Sequence, residues 1–263
     1  MLTFPNIDPV ALHFGPLQIR WYALAYLAGF LGGWYYAHKL TDLNKSERPN
    51  REDIDNILPL LVFGVILGGR IGYVLFYNLA YYIQNPMQVI EIWQGGMSFH
   101  GGLLGVAIAI FGYCRKHKIP ILAMGDTIST VVPVGLFFGR IANFINGELF
   151  GRPTDVPWAM VFPRGGDMPR HPSQLYEAFL EGIVLFGVMY VLSHNENIRK
   201  KRGMLFAAML IGYGMCRFIV EYVREPDPQL GLYFGNLLSM GQMMCLPMIL
   251  AGIVVMRYAR QKA

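Results

Sequence analysis

Charge is scarce in this sequence. Only 15% of its 263 residues are Asp, Glu, Lys or Arg, against about 25% in a soluble domain of ordinary composition. Cysteine is scarce too. Cys114, Cys216 and Cys245 show no CxxC spacing and lie within or at the ends of apolar runs, which argues against a disulfide framework or thiolate metal site and for small buried hydrophobes. There is no HExxH pair, and the six histidines (His13, His38, His100, His117, His171 and His194) are scattered, so neither a metal nor any other cofactor is expected. No linker, low-complexity tract or internal repeat divides the chain, so residues 1–263 read as one domain. The opening stretch MLTFPNIDPVALHFGPLQIRWY has no basic region ahead of an apolar core, unlike a cleavable signal peptide. Phe4, Phe14, Trp21 and Tyr22 instead suggest that residues 1–19 lie in a membrane interface.

What is abundant is apolar surface: 54% of residues are hydrophobic and the mean hydropathy is +0.37. A helix needs roughly 20 mostly apolar residues to cross a bilayer. Seven segments qualify, near 20–38, 57–78, 98–114, 121–145, 174–193, 203–223 and 237–256, the third being short and glycine-rich. The expected fold is therefore all-α, a polytopic membrane protein with about seven transmembrane helices.

Basic residues orient the spans. Lys39, Lys45, Arg48 and Arg51 share one side with Arg115, Lys116 and Lys118, with Arg199, Lys200, Lys201 and Arg202, and with Arg257, Arg260 and Lys262. The opposite side carries Arg20, Arg152, Arg164, Arg170 and Arg224, spread over longer connections. Positive charge stays inside, so the N-terminus is expected outside and the C-terminus in the cytoplasm, an alternation that six or eight spans would break. The same clustering explains the net charge of +5 without a nucleic-acid partner.

Three arginines, Arg70, Arg140 and Arg217, remain within spans. Each charge there costs about 2.5–3.5 kcal/mol on insertion scales and marks a functional site by default. The topology sorts polar residues by depth. Arg70, Arg140 and Asn143, Arg217 and Glu221, His100, Tyr22, and Gln174 and Glu177 come from six different spans. All are expected in the outer half of the bilayer.

On the sixth span, Tyr213, Arg217, Glu221 and Arg224 recur at i, i+4, i+8 and i+11, one helical face. Arg217 and Glu221 fit either a buried structural pair or an anion site in which Glu221 orients Arg217. In GRIANFINGELFGR, Arg140 and Asn143 share a face, and Asn146, Glu148 and Gly151 follow. A cap-and-loop reading explains Asn146 and Gly147 but not Arg140 within a span. His100, in Ser98-Phe99-His100-Gly101-Gly102, is either a structural hydrogen-bonding group or a proton acceptor suited to neutral pH. Glu181, one turn below Glu177, is a further candidate for the same cavity. Asp126, near the cytoplasmic end of its span, and Gln242 and Pro247 read as structural.

These stretches resemble the prolipoprotein diacylglyceryl transferase family. The resemblance rests on GRIANFINGELFG, Arg20-Trp21-Tyr22, Gly69-Arg70-Ile71-Gly72, the Ser98–Gly102 segment, His171-Pro172-Ser173-Gln174-Leu175-Tyr176-Glu177 and Arg217-Phe218-Ile219-Val220-Glu221, in order along nearly the whole chain. It implies a bacterial inner-membrane enzyme with its site at the periplasmic leaflet, and as partners phosphatidylglycerol, the bilayer and prolipoprotein signal peptides with a lipobox cysteine. It also implies the reaction: the diacylglyceryl group moves to the cysteine sulfur, a thioether forms and glycerol phosphate leaves, ahead of signal-peptide cleavage. On this reading Arg140 and Arg217 hold the phosphate, and His100 takes the thiol proton or orients the head group. Tyr22, Asn143 and Glu148 position the head group, with Arg70, Asn146, Gln174 and Tyr213 also contributing to the site. Glu221 orients Arg217, Gly151 shapes the exit loop, and residues 146–173 form a periplasmic loop over the site.

A transporter of an anionic solute or lipid would also place arginines in the membrane, but it should show a repeat or a polar route to the inner side. Here the inner halves are apolar apart from Asp126. A receptor or scaffold reading rests on span number alone, a fold-level analogy.

Overall fold

A computed structural model describes residues 2–5, 7–15, 17–43, 47–226, 232–233 and 237–262. Lys45, one of the orienting cations, lies outside them. The chain is mostly helical. Among the described residues, each expected span falls on a long helix: α1 (Trp21–Asp42), α2 (Arg51–Tyr77), α3 (Phe99–His117), α4 (Ile121–Ile145), α5 (Ser173–His194), α6 (Met204–Val220) and α7 (Met240–Gln261). Four of them, α2, α4, α5 and α7, are long and apolar enough to cross a membrane, and α6 is apolar but shorter. Tyrosine, tryptophan and glycine dilute α1, and Arg115, Lys116 and His117 close α3.

The fold departs from all-α in small ways. Within the stretch expected to be an interfacial segment, β1 (Val10–Phe14) and β2 (Leu17–Arg20) form a hairpin, in which Leu12 pairs with Ile19 and a bulge separates Val10 from Leu12. Gly15 makes the turn at φ +59°, a conformation glycine adopts without steric cost. The segment before the hairpin docks by its own backbone and rings. Leu2 donates its N–H to Ala159 at 3.0 Å, and the Phe4 ring lies 5.3 Å from Phe144 and 5.0 Å from Phe162. A second antiparallel pair, β3 (Leu232–Tyr233) and β4 (Leu238–Ser239), leads into α7.

The chain packs as two units, residues 1–37 with 126–263, and residues 38–125. No change of composition marks the boundaries, which fall inside α1 and α4. In the second unit α2 and α3 meet along a glycine seam. A Cβ on Gly105 would sit 2.0 Å from the Gly64 carbonyl oxygen, and one on Gly68 would sit 2.4 Å from that of Gly101. Small residues four apart let apolar helices touch backbone to backbone, the usual way helices associate in lipid. Arg70 is also in this unit, and it is buried. It donates to five backbone carbonyls: Val89 at 2.8 Å, Gly95 and Gln88 at 2.6 Å, Gly96 at 3.2 Å and Glu91 at 3.3 Å. The guanidinium also lies 5.1 Å from the Tyr82 ring centre. The group expected to contribute to a substrate cavity thus directs its donors to backbone carbonyls of the 88–96 segment.

In the first unit, caps fix the helix ends. Asp126 accepts the N–H groups of Gly203 at 2.6 Å and Phe206 at 2.7 Å. It supplies the N-terminal cap of α6 that Gly203 cannot. Ser239 and Gln242 form a capping box at the start of α7. The structural readings of Asp126 and Gln242 thus acquire a specific form.

Candidate active site

The first unit holds a buried charge network. Arg140 projects from α4. Its Nε lies 2.6 Å from Glu177 and a terminal nitrogen lies 3.4 Å from Glu181, both carboxylates on α5. Arg217, on α6, lies 3.2 Å from Glu177, 3.8 Å from Glu181 and 2.9 Å from Glu221. Arg224 completes the set at 3.7 Å from Glu177 and 3.6 Å from Glu221. Glu177, Glu181 and Glu221 are 1%, 0% and 3% exposed. The three guanidinium side chains keep 18%, 14% and 10%. Three cations thus face three anions, and the cluster is neutral if all are ionised. That balance is what makes burial of six charges affordable. The carboxylates are sealed, and the residual access belongs to the arginines.

Local structure explains the arrangement. α5 is not a regular helix: Ala178–Val184 form π turns, preceded by Ser173–Glu177 and followed by Leu185–His194. Such wide turns are rare and recur at functional sites. Glu177 and Glu181 flank the onset of the widening, and both reach Arg140 and Arg217. Gly182 lets α5 close on α4, since a Cβ there would lie 2.8 Å from Phe137 Cβ. α6 ends at Val220, so Glu221 and Arg224 stand in the following turn rather than on a continuing helix. Glu221 packs on the first turn of α7, where a Cβ on Gly241 would lie 2.7 Å from its carboxyl carbon. A helix N-terminus favours an anion there.

A second cluster adjoins the network. Asn143 and Asn146 donate to Oε1 of Glu148 at 2.9 and 3.3 Å, and Gln174 donates to the Glu148 carbonyl at 2.5 Å. Gly147 and Leu149 take positive φ, +62° and +57°, to turn the chain out of α4. Gly151 follows and must be glycine. Its N–H donates to His171 at 2.8 Å, and a Cβ there would meet the Val223 carbonyl at 2.5 Å. Gly151 also bridges to Arg224, which anchors the backbone of a network residue.

The loop expected over residues 146–173 is itself organised. Bridges join Pro153 and Met160 to Arg170. The Arg170 guanidinium binds the Gly165 and Gly151 carbonyls and Glu225, at 2.9, 3.2 and 3.1 Å. Trp158 donates to the Tyr176 hydroxyl at 2.6 Å, and His171 Nδ1 lies 3.2 Å from the same oxygen. Burial holds the His171 pKa below its ordinary value.

Of the expected site residues, the first unit brings Arg140, Arg217 and Glu221 into one network and Asn143, Asn146, Glu148 and Gln174 into the adjoining one. Tyr213 lies within the electrostatic reach of Glu181, Arg217 and Arg140 and packs against Leu185, Met189, Leu205 and Met209. The Tyr22 ring lies 5.2 Å from that of Tyr26, tilted by 47°, and Tyr26 is within electrostatic reach of Arg140. Arg70 and His100 belong to the second unit. His100 is exposed in the first turn of α3, which is capped by the Ser98 hydroxyl oxygen accepting the Gly101 N–H at 3.2 Å. Glu177, Glu181 and Arg224 also join this network, with less weight in the sequence reading. Two carboxylates four apart in an apolar helix were the available signal. Among the described residues, no group of three or more His, Cys, Asp or Glu side chains is arranged to hold a metal ion.

Helices apolar enough for a bilayer and a buried arginine–carboxylate network define the class: a multi-pass helical membrane protein with a buried charge cluster. Comparison with known proteins gives the particular family. Residues 9–258 match the family model for prolipoprotein diacylglyceryl transferase. The chain is 54% identical over 263 residues to the phosphatidylglycerol–prolipoprotein diacylglyceryl transferase of Azospirillum brasilense, covering 99% of this chain and 97% of that one. It is 52% identical over 261 residues to that of Rhodospirillum rubrum, covering 99% and 95%. It is 51% identical over 257 residues to that of Nitratidesulfovibrio vulgaris strain DP4, covering 98% and 96%. The chain belongs to the prolipoprotein diacylglyceryl transferase family.

Proposed function

We propose that this protein transfers the diacylglyceryl group of phosphatidylglycerol to the lipobox cysteine of prolipoproteins. The sulfur attacks the glyceryl carbon that bears the phosphate, the carbon–oxygen bond breaks, and glycerol phosphate leaves with the bonding electrons. A thioether remains on the acceptor. The observation that carries this reading is the convergence of Arg140 and Arg217 on one buried carboxylate, Glu177. Two guanidinium groups held that way are spaced to grip a phosphate through several charge-assisted hydrogen bonds. They also stabilise the charge that grows on the leaving oxygen in a dry site.

Arg140 and Arg217 are the phosphate clamp, and Glu221 orients Arg217. Asn143, Asn146, Glu148, Gln174, Tyr22 and Tyr213 shape the head-group site, and Gly151 keeps the exit loop against Arg224. Arg70 acts through the 88–96 segment. The incoming thiol has an ordinary pKa near 8.5, so either His100 accepts its proton or the arginine field alone favours thiolate. The seven helices all cross the inner membrane, N-terminus outside and C-terminus in the cytoplasm, with the site at the periplasmic leaflet under residues 146–173. The clustering of basic residues on one side of the alternation supports that orientation.

Transfer of labelled lipid to a prolipoprotein by purified variants tests the reading. Arg140→Ala and Arg217→Ala are each expected to lose nearly all turnover; near-normal turnover in both would remove the clamp. For the proton acceptor, His100→Asn is compared with the parent across pH. An unchanged profile with high activity assigns the thiol activation to the arginines.

A further inference from the structure

Glu177 holds a singular position in the network. Its Oε2 lies 2.6 Å from Arg140 and 3.2 Å from Arg217, and its Oε1 lies 3.7 Å from Arg224. It is the one carboxylate within ion-pair distance of all three arginines among these contacts. It is 1% exposed, yet neither oxygen receives an aligned hydrogen bond, and neither Arg140 Nε nor the Arg217 nitrogen facing it donates one. A carboxylate serving as a permanent structural partner normally engages a guanidinium through two parallel hydrogen bonds. Here the charges touch without that alignment, so the arginines hold the Glu177 carboxylate by charge rather than by paired hydrogen bonds.

We propose that Glu177 is an internal stand-in for the lipid phosphate. It occupies the arginine-lined position while the site is empty and yields it when phosphatidylglycerol binds. This inference rests on the arginine-clamp reading above. A phosphodiester carries the same single negative charge as a carboxylate, so the exchange keeps the guanidinium groups balanced in either state. Without the stand-in, cations in a low-dielectric site would be left uncompensated. Glu177 sits where α turns give way to π turns in α5, the part of the helix whose backbone is least regular. After transfer, its return to the arginines competes with glycerol phosphate and speeds release of that product.

The test is binding of glycerol phosphate to the full-length protein in nanodiscs, by calorimetry and by inhibition of turnover, for the parent, Glu177→Gln, Glu177→Asp and Arg217→Gln. Glu177→Gln removes the competing charge. It is expected to bind glycerol phosphate about tenfold more tightly or better, because a unit charge some 4 Å away in a partly screened site is worth more than that factor. Its kcat falls because product leaves slowly. Glu177→Asp, which withdraws the carboxylate but keeps the charge, moves the same way by a smaller factor and serves if the Gln variant does not fold. Unchanged or weaker binding in the folded variant overturns the proposal and makes Glu177 a structural prop. If Arg217→Gln weakens binding while Glu177→Gln fails to tighten it, the clamp stands and the stand-in falls. If Arg217→Gln has no effect on binding, both fall.

Discussion

Removing Arg140 should hurt the protein in two separable ways, and a second substitution can restore one without the other. Arg140→Met leaves three carboxylates facing two guanidinium groups. Glu177 keeps Arg217 at 3.2 Å and Arg224 at 3.7 Å, but Glu181, fully buried, is left with Arg217 at 3.8 Å. Breaking a buried pair by deleting one partner costs about 3–5 kcal/mol, mostly from the charge left behind. Glu181→Gln removes that charge. The double variant Arg140→Met/Glu181→Gln is therefore expected to regain about half or more of the lost stability, with a coupling energy of roughly 2 kcal/mol in a double-mutant cycle. Turnover is not expected to return, because the phosphate has lost a guanidinium whatever the state of Glu181. Reversible unfolding of the four proteins in one detergent gives the stability cycle, and lipid transfer in the same micelles gives turnover. A coupling near zero would refute the ion-pair account. Turnover that returned with stability would show Arg140 to be structural, and the clamp would have to be rebuilt without it.

Arg70→Met should expose the carbonyls of residues 88–96 and speed their amide hydrogen exchange. Arg70→Lys should not rescue it, because one ammonium with three donors cannot reach five carbonyls. Exchange in the Lys variant equal to the parent would contradict that scaffold role. Gly105→Val should destabilise the protein by about 1–3 kcal/mol or more, since the seam leaves no space beside the Gly64 carbonyl; an unchanged thermal midpoint would mean that α2 and α3 do not pack this way. Asp126→Ala should cost about 1–2 kcal/mol through loss of the α6 cap, and Asp126→Asn less. Burial lowers the pKa of His171, so its neutral form is favoured by folding. Its contribution is present above the unfolded value of about 6.5 and is lost as pH falls toward the folded value. His171→Gln should flatten stability against pH in that window, and an unaltered slope would assign the acid sensitivity to other groups.

Hydropathy and span lengths are properties of contiguous residues, so the seven helices can be read along the chain without knowing which helix touches which. The same holds for the oddity of Arg140 and Arg217, since a charge in an apolar run is conspicuous by itself, and for the family motifs. The pairing of those charges is different. Arg140 meets Glu177 and Glu181 across 37 and 41 positions, a separation that no local pattern encodes. Arg70 shows the converse. The sequence marked it as a buried cation equal to the others, and only the folded chain assigns its donors to the carbonyls of a neighbouring segment. Which buried acceptors each arginine meets, backbone carbonyls for Arg70 and carboxylates for Arg140 and Arg217, is a property of the tertiary structure alone.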